Sequence, residues 1–278
     1  MKGFFASVLA VCSYDIKRLT CPVYILATSD EEIGCLGAKS MNYDPLRRLD
    51  IAGIVAGEPT SGKVVFKHPG KANFRLTCTA RGGHASKVRT VVNPLHVVAA
   101  YIVQAHKSFN VSTHHGSFSA GALTSGTAPN VIPDRAEAVF EVRYATDDAW
   151  ASIRASLETI RADVYEQSRE LNLHESDLTL TQITHTPALA PLGEEHLFAN
   201  LYRLTQWEAG TPEHVVDFGT EAGIFQAALS IPTIVWGPGD IDQAHTPDET
   251  LDSVLFEQFV QRLASHLLVI PDVDVETS

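Results

Sequence analysis

Cationic side chains are scarce in this chain: 21 Lys and Arg stand against 33 Asp and Glu, a formal charge of −12 over 278 residues. Nucleic acid selects basic surfaces, so this balance excludes it as a partner class. Cysteine is scarce as well. Cys12, Cys21, Cys35 and Cys78 make no CxxC pair and no disulfide-dense framework, and they read as small buried hydrophobes in a reducing, cytoplasmic setting. No apolar run is long enough to span a bilayer, which leaves out the membrane. There is no internal repeat and no low-complexity tract. The GxSxG pattern of an activated serine is also missing. What is left is an ordinary globular composition, 45% hydrophobic and 19% charged, long enough for one large domain or two modest ones.

The chain is organised around Thr28-Ser29-Asp30-Glu31-Glu32-Ile33-Gly34. The apolar run Val23–Leu26 before it predicts a buried strand, and Gly34 and Gly37 allow a tight turn after it. Three acidic side chains would then sit at the carboxyl end of a strand, where open α/β sheets place ligands. Adjacent carboxylates repel, and a shared cation or proton relieves them. A solvated acidic turn is the plain alternative. Two other stretches repeat the design of strand, glycine and potential metal ligand. Residues 51–56 lead to Gly57-Glu58, and residues 231–235 lead through a Gly-Pro-Gly turn to Asp240, Asp242 and His245. Carboxylate and imidazole together suit zinc or a similar divalent ion.

In this order, Thr28–Glu32, Gly57-Glu58-Pro59-Thr60, Gly82-Gly83-His84-Ala85-Ser86 and Ala244-His245-Thr246-Pro247-Asp248-Glu249 resemble the motifs of the two-zinc amidohydrolases of the M20 peptidase family, most of all its acetylornithine deacetylase branch. The resemblance implies an α/β zinc-peptidase-like catalytic domain in two parts, 1–68 and 185–278, with an inserted ferredoxin-like α+β lid and dimerisation domain at 69–184. It implies two zinc ions, with cobalt as an alternative, and a homodimer formed through the lid. Glu31 would be the general base, Glu32, Glu58 and His245 metal ligands, and His84 an oxyanion donor reaching across the dimer. The substrate would be an N-acyl amino acid, deacetylated in arginine biosynthesis. Asn130, Arg143, Thr220 and Glu221 match substrate-binding positions, with Glu221 facing a cationic side-chain amine. Each has a simpler reading too: a structural or exposed histidine for His84, a polar turn for Asn130, a strand-surface charge for Arg143, and a first-turn carboxylate favoured by the helix dipole for Glu221.

Met1–Cys12 carries one positive charge and a short apolar stretch, as a secretory signal would, and Leu9-Ala10-Val11-Cys12 loosely suggests a lipoprotein site. Phe4, Val8, Val11 and Tyr14 fall at helical spacing and favour an amphipathic helix closed by Lys17 and Arg18. In the family, Met-Lys-Gly-Phe opens an internal helix that follows a metal-bridging Asp. The resemblance therefore implies an N-terminally truncated chain that lacks this Asp and one metal-binding His, with an exposed sheet edge and an uncovered apolar face. A non-catalytic remnant that binds ligand or dimerises is thus the competing function. Another activity of the family (desuccinylase, aminoacylase, carboxypeptidase or dipeptidase) is a third.

Periodicity predicts the remaining elements: strands near 73–80, 117–123, 136–144 and 178–183, and helices at 93–106, 147–171, 194–208, 221–229 and 251–268. The order β-α-β-β-α-β in the middle is that of a split βαβ unit.

Overall fold

The computed structural model describes residues 2–14, 16–20, 22–111, 116–171, 174, 177–192 and 216–267. In chain order they form α1 (Lys2–Tyr14), α2 (Leu36–Ser40), α3 (Asp44–Arg47), β1 (Ile54–Ala56), β2 (Gly70–Thr79), β3 (Gly83–His84), α4 (Pro94–His106), β4 (Gly116–Ser125), β5 (Val131–Ile132), β6 (Arg135–Tyr144), α5 (Asp147–Ser168), β7 (Leu178–Thr186), α6 (Ala222–Leu229), β8 (Thr233–Val235) and α7 (Ser253–Leu267). The chain divides into two compact units. One comprises Met1–Lys67, Ala190–Val216 and Thr220–Ser278, and the other His68–Leu189 and Asp217–Gly219.

The second unit is an antiparallel sheet in the order β4-β6-β2-β7 with α4 and α5 against it. Strict alternation makes it. Ala72, Phe74, Leu76 and Cys78 of β2 and Ala136, Ala138, Phe140, Val142 and Tyr144 of β6 are all buried on one face. Ile153, Leu157, Ile160 and Val164 recur at helical spacing along α5 and close that core from above. Phe140 is its centre, stacked on Phe74 at 5.5 Å and tilted against Phe118 at 4.8 Å. Burying one such ring contributes about 1.5–3 kcal/mol. Asn93 caps α4 by accepting from Leu95 N–H at 3.0 Å, and Thr146 caps α5. The opposite face of the sheet carries charge: Arg75 and Arg135 both pair with Glu137, and Arg143 pairs with Glu141. This is the ferredoxin-like arrangement that the element order predicts. The long helix ends at Ser168, and a single 3₁₀ turn, Arg169–Leu171, completes the predicted span.

In the first unit β1 and β8 pair in parallel, Ile54 opposite Thr233 and Ala56 opposite Val235. Val8 and Val11 of α1 pack with Phe259 and Leu263 of α7 around Ile234 and Trp236, and the Trp236 and Phe259 rings meet edge to face at 4.7 Å. A smaller cluster joins Cys35, Ala38 and Tyr43 to Ile224 and Phe225 of α6. The N-terminal helix is as its periodicity predicts. One expectation fails here. Val23–Leu26 is not a strand, and Tyr24, Ile25 and Leu26 are 57, 48 and 43% exposed. A buried strand needs ladder partners and a covering layer, and among the described residues this run has neither. The predicted helix 194–208 lies outside the described residues, as does Cys21. Cys35 and Cys78 are buried free thiols and Cys12 is half-buried. No helix among the described residues is long and apolar enough to cross a membrane.

Candidate active site

In the first unit the acidic stretch folds back on itself. Asp30 and Cys35 adopt left-handed φ values of 59° and 57°, and Gly34 has φ 106°. The Gly34 and Cys35 N–H groups donate to the Glu31 carbonyl at 3.0 and 2.8 Å, and Gly37 N–H donates to the Ser29 carbonyl at 3.0 Å. A Cβ on Gly37 would sit 2.4 Å from that same carbonyl oxygen, so only glycine lets the turn close. The turn aims Glu31 and Glu32 differently. Glu31 Oε1 lies 3.7 Å from Cys35 Sγ, whose thiol is pushed up to about 12 by burial and then by the Glu31 charge. Glu32 points outward, and its Oε1 is 3.7 Å from Nε2 of His245, with both side chains over 70% exposed. His245 follows a 3₁₀ turn capped by Asp240 and has a left-handed φ of 61°.

Glu58 follows β1, and Gly237 packs onto its backbone so closely that a Cβ there would lie 2.4 Å from the Glu58 carbonyl oxygen. Burial pushes the Glu58 carboxyl up to about 7, with the charges of Glu31, Glu221 and Glu32 adding to the effect. Glu221 precedes α6 and is 5% exposed. Burial raises its carboxyl, while a hydrogen bond from the Thr28 hydroxyl to Oε2 at 2.5 Å lowers it. Thr220 is buried, its Oγ1 accepting from Ala222 N–H at 3.1 Å. Residues as far apart in the chain as Glu32 and His245 are thus gathered: Thr28, Glu31, Glu32, Glu58, Glu221 and, through Glu32, His245.

Among the described residues no group of three or more His, Cys, Asp or Glu draws within metal-holding distance. The donor set nonetheless fits a divalent cation in kind. Carboxylates and an imidazole are ligands of zinc, and the repulsion that raises Glu58 is what a positive charge would relieve.

In the second unit, β3 pairs with β5, with His84 opposite Val131, and Ala85 N–H donates to the Asn130 carbonyl at 3.0 Å. The glycine loop and the asparagine loop are therefore neighbours, and both side chains are exposed. His84 Nδ1 accepts from Ser86 N–H at 3.2 Å, which places the proton of the neutral ring on Nε2 and leaves Nε2–H as a donor. Arg143 is engaged on the charged sheet face: it donates to Glu141 at 2.7 Å and to the Asp217 carbonyl.

Thr28 and Cys35 are the site neighbours to which sequence reasoning gave no role. Thr28 stands within the motif, but its contact with Glu221 is 193 residues away in the chain, and no spacing rule reaches that far.

Comparison with known proteins bears on this geometry. A family model described as the M20 peptidase dimerisation domain matches residues 66–169. The chain is 32% identical to an acetylornithine deacetylase of Pasteurella multocida over 265 residues, covering 91% of this chain and 66% of that protein. An acetylornithine deacetylase of Salmonella arizonae is 31% identical over 264 residues with the same coverage. The chain thus spans just under two-thirds of the length of these curated relatives. Among solved structures, aminopeptidase PepT of Bacillus cereus superposes with a TM-score of 0.70 at 16% identity, covering 86% of this chain and 62% of that one. A dinuclear metal-binding peptidase of Bacillus subtilis, from the M20 family, covers 95% of this chain and 69% of its own, with a TM-score of 0.64 at 16% identity. At these identities the structural likeness is one of fold.

Proposed function

This chain belongs to the M20 peptidase family, and from that premise we propose that it serves hydrolysis of the amide bond of an N-acyl amino acid of the N-acetylornithine kind, a deacetylation in arginine biosynthesis. The observation that carries the reading is the gathering of Glu31, Glu32 and Glu58 with His245 in contact with Glu32. The names of the curated relatives support the substrate.

Zinc, with cobalt as an alternative, would be held by Glu32, Glu58 and His245 and would supply Lewis acidity to the scissile carbonyl and the attacking water. Glu31 takes a proton from that water as it attacks and returns it to the departing amine, so that the C–N bond breaks to acetate and free amino acid. The Nε2–H of His84 would donate to the oxyanion of the tetrahedral species, supplied by a second copy. Asn130, Arg143, Thr220 and Glu221 would bind the amino-acid part. The family model for a dimerisation domain supports a homodimer through the sheet unit. The edge of β4, which has no strand beside it among the described residues and carries small residues and exposed Leu123, offers a place for it. The few unpaired cysteines support a cytoplasmic setting.

The test is zinc binding and acetate release from N-acetyl-L-ornithine by the chain and by Glu31→Gln. The expected outcome is equal zinc affinity in both and turnover lower in the variant by at least roughly 100-fold, the scale of a lost general base. Undiminished turnover would remove Glu31 from the role. A second reading, ligand binding or dimerisation without turnover, draws on the high exposure of Glu32 and His245 and the lack of a three-ligand group among the described residues. Absence of zinc binding would favour it.

A further inference from the structure

Within the second unit, α4 and α5 leave a groove of about 230 Å³ between them. The sequence makes the gap. Asn93, His96 and Ala100 recur at helical spacing along α4, and Val164, Gln167 and Ser168 along α5. Ala100 and Ser168 are short, so the two helices do not fill the space they enclose. Val88, Val91 and Val92, from the turn before α4, extend the wall. Val92, Val97 and Val164 give it buried apolar surface, while Val88 is 41% exposed. The polar part of the lining is made of donors. The amide oxygens of Asn93 and Gln167 already accept, from Leu95 N–H at 3.0 Å and from Gln104 Nε2–H at 3.3 Å, so each amide has its NH₂ group left to give. His96 adds an imidazole and Ser168 a hydroxyl. Acids outnumber bases 33 to 21 in this chain, yet no Asp or Glu lines the groove, and Val88 is flanked in the chain by Lys87 and Arg89.

We propose that this groove between α4 and α5 binds a short aliphatic carboxylate, its tail against the valines and its oxygens against the Asn93, His96, Gln167 and Ser168 donors. Charge complementarity selects this ligand. Donors gathered without an anionic acceptor suit an anion, whereas a cation would meet no opposite charge in the lining. The rest of the lining rules out the extremes. An inorganic anion would leave the valine surface wet, and a hydrocarbon would leave the amides, imidazole and hydroxyl without an acceptor. Size agrees. A dry apolar cavity of about 150 Å³ admits benzene, so this larger groove accommodates a tail of a few carbons with its head group. The site lies inside one unit and needs no metal, so it stands apart from the amidohydrolase reading and does not depend on it.

The experiment is a titration of the 278-residue chain with sodium 4-methylpentanoate, followed by valine methyl NMR. Saturable shifts are expected at Val88, Val91, Val92, Val97 and Val164, with a Kd of about 1 mM or tighter, the range open to a ligand of about eight non-hydrogen atoms. The neutral 4-methylpentanamide should bind roughly 10-fold more weakly, because it lacks the charge that strengthens the hydrogen bonds. Ala100→Leu fills the groove and should abolish binding. Gln167→Glu, at an exposed helix position, sets a like charge against the ligand and should weaken binding by at least roughly 10-fold. A thermal melt checks that each variant folds, and Gln167→Glu decides alone if Ala100→Leu does not. No saturable shift, shifts confined to other valines, equal binding of acid and amide, or undiminished binding in Gln167→Glu would overturn the site. Sedimentation without ligand tests the other occupant: a change of oligomeric state in Ala100→Leu would mean that a second copy of the chain seats in the groove, which also overturns the proposal.

Discussion

The two units of this chain solve the same problem to different extents. In the second, every strand of a four-stranded sheet is laddered, one face is sealed by two helices, and polar side chains line the other. In the first, a two-stranded parallel sheet is flanked by two small apolar clusters, and Tyr24, Ile25 and Leu26 are exposed just ahead of the acidic stretch Asp30–Glu32 in the chain. The contrast is one of dense packing against gathered charge. The first unit gathers like charges, a buried Glu221 oxygen without a partner among the described residues, and left-handed backbone at Asp30 and His245, each a local cost.

The sharpest way to break the comparison is by truncation in each unit. Phe140→Ala in the packed sheet is expected to cost about 3–5 kcal/mol in chemical denaturation. Ile25→Ala in the first unit should change stability by no more than about 0.5 kcal/mol, the figure for surface positions. A loss at Ile25 as large as that at Phe140 would mean that residues 24–26 are covered in the working protein.

Next in size is pH, where the metal-free units should respond with opposite signs. The Glu58 carboxyl rises from 4.5 to about 7 on folding, so the folded chain holds a proton that the unfolded chain releases, and stability falls as pH rises through this window by about 3 kcal/mol. Glu58→Gln should flatten that slope. His68 in the second unit is buried and its imidazole is lowered below 6.5, so stability is lost as pH falls below that value. His68→Gln should remove the acid-side loss alone. Denaturation between pH 4 and 8 would check both, and a shared sign would refute the contrast.

The smallest expected effect concerns the charged sheet face. Arg75→Gln, which frees Glu137 from one of its two arginines, should cost less than about 1 kcal/mol and shrink further in salt, because exposed ion pairs are weak. A larger loss in a melting experiment would make that face structural.

Much of this could be read along the chain. Alternation over 73–80, a strand pattern at 136–144 and an amphipathic pattern over 147–171 are local, and they led to the ferredoxin-like unit because its strands recur in sequence as a split βαβ. The run 23–26 misled because apolarity signals a wish to be buried, while burial depends on what else is near. Glu31, Glu32, Glu58 and His245 were legible as a motif, but the division between them was not: one faces a thiol, one faces an imidazole in solvent, and one is driven towards protonation.

Amino-acid order by itself determined the element types and core faces of the sheet unit, the acidic character and the family motifs, since each depends on neighbours within a few residues or on composition. Only the tertiary structure decided that Glu221 would be buried with one oxygen held by Thr28. It alone decided that His84 and Asn130 would share a pair of loops, and that Arg143 would be committed to Glu141. The physical reason is range. Pattern acts through the local backbone, whereas hydrogen-bond partnership and desolvation arise between residues that only folding brings together.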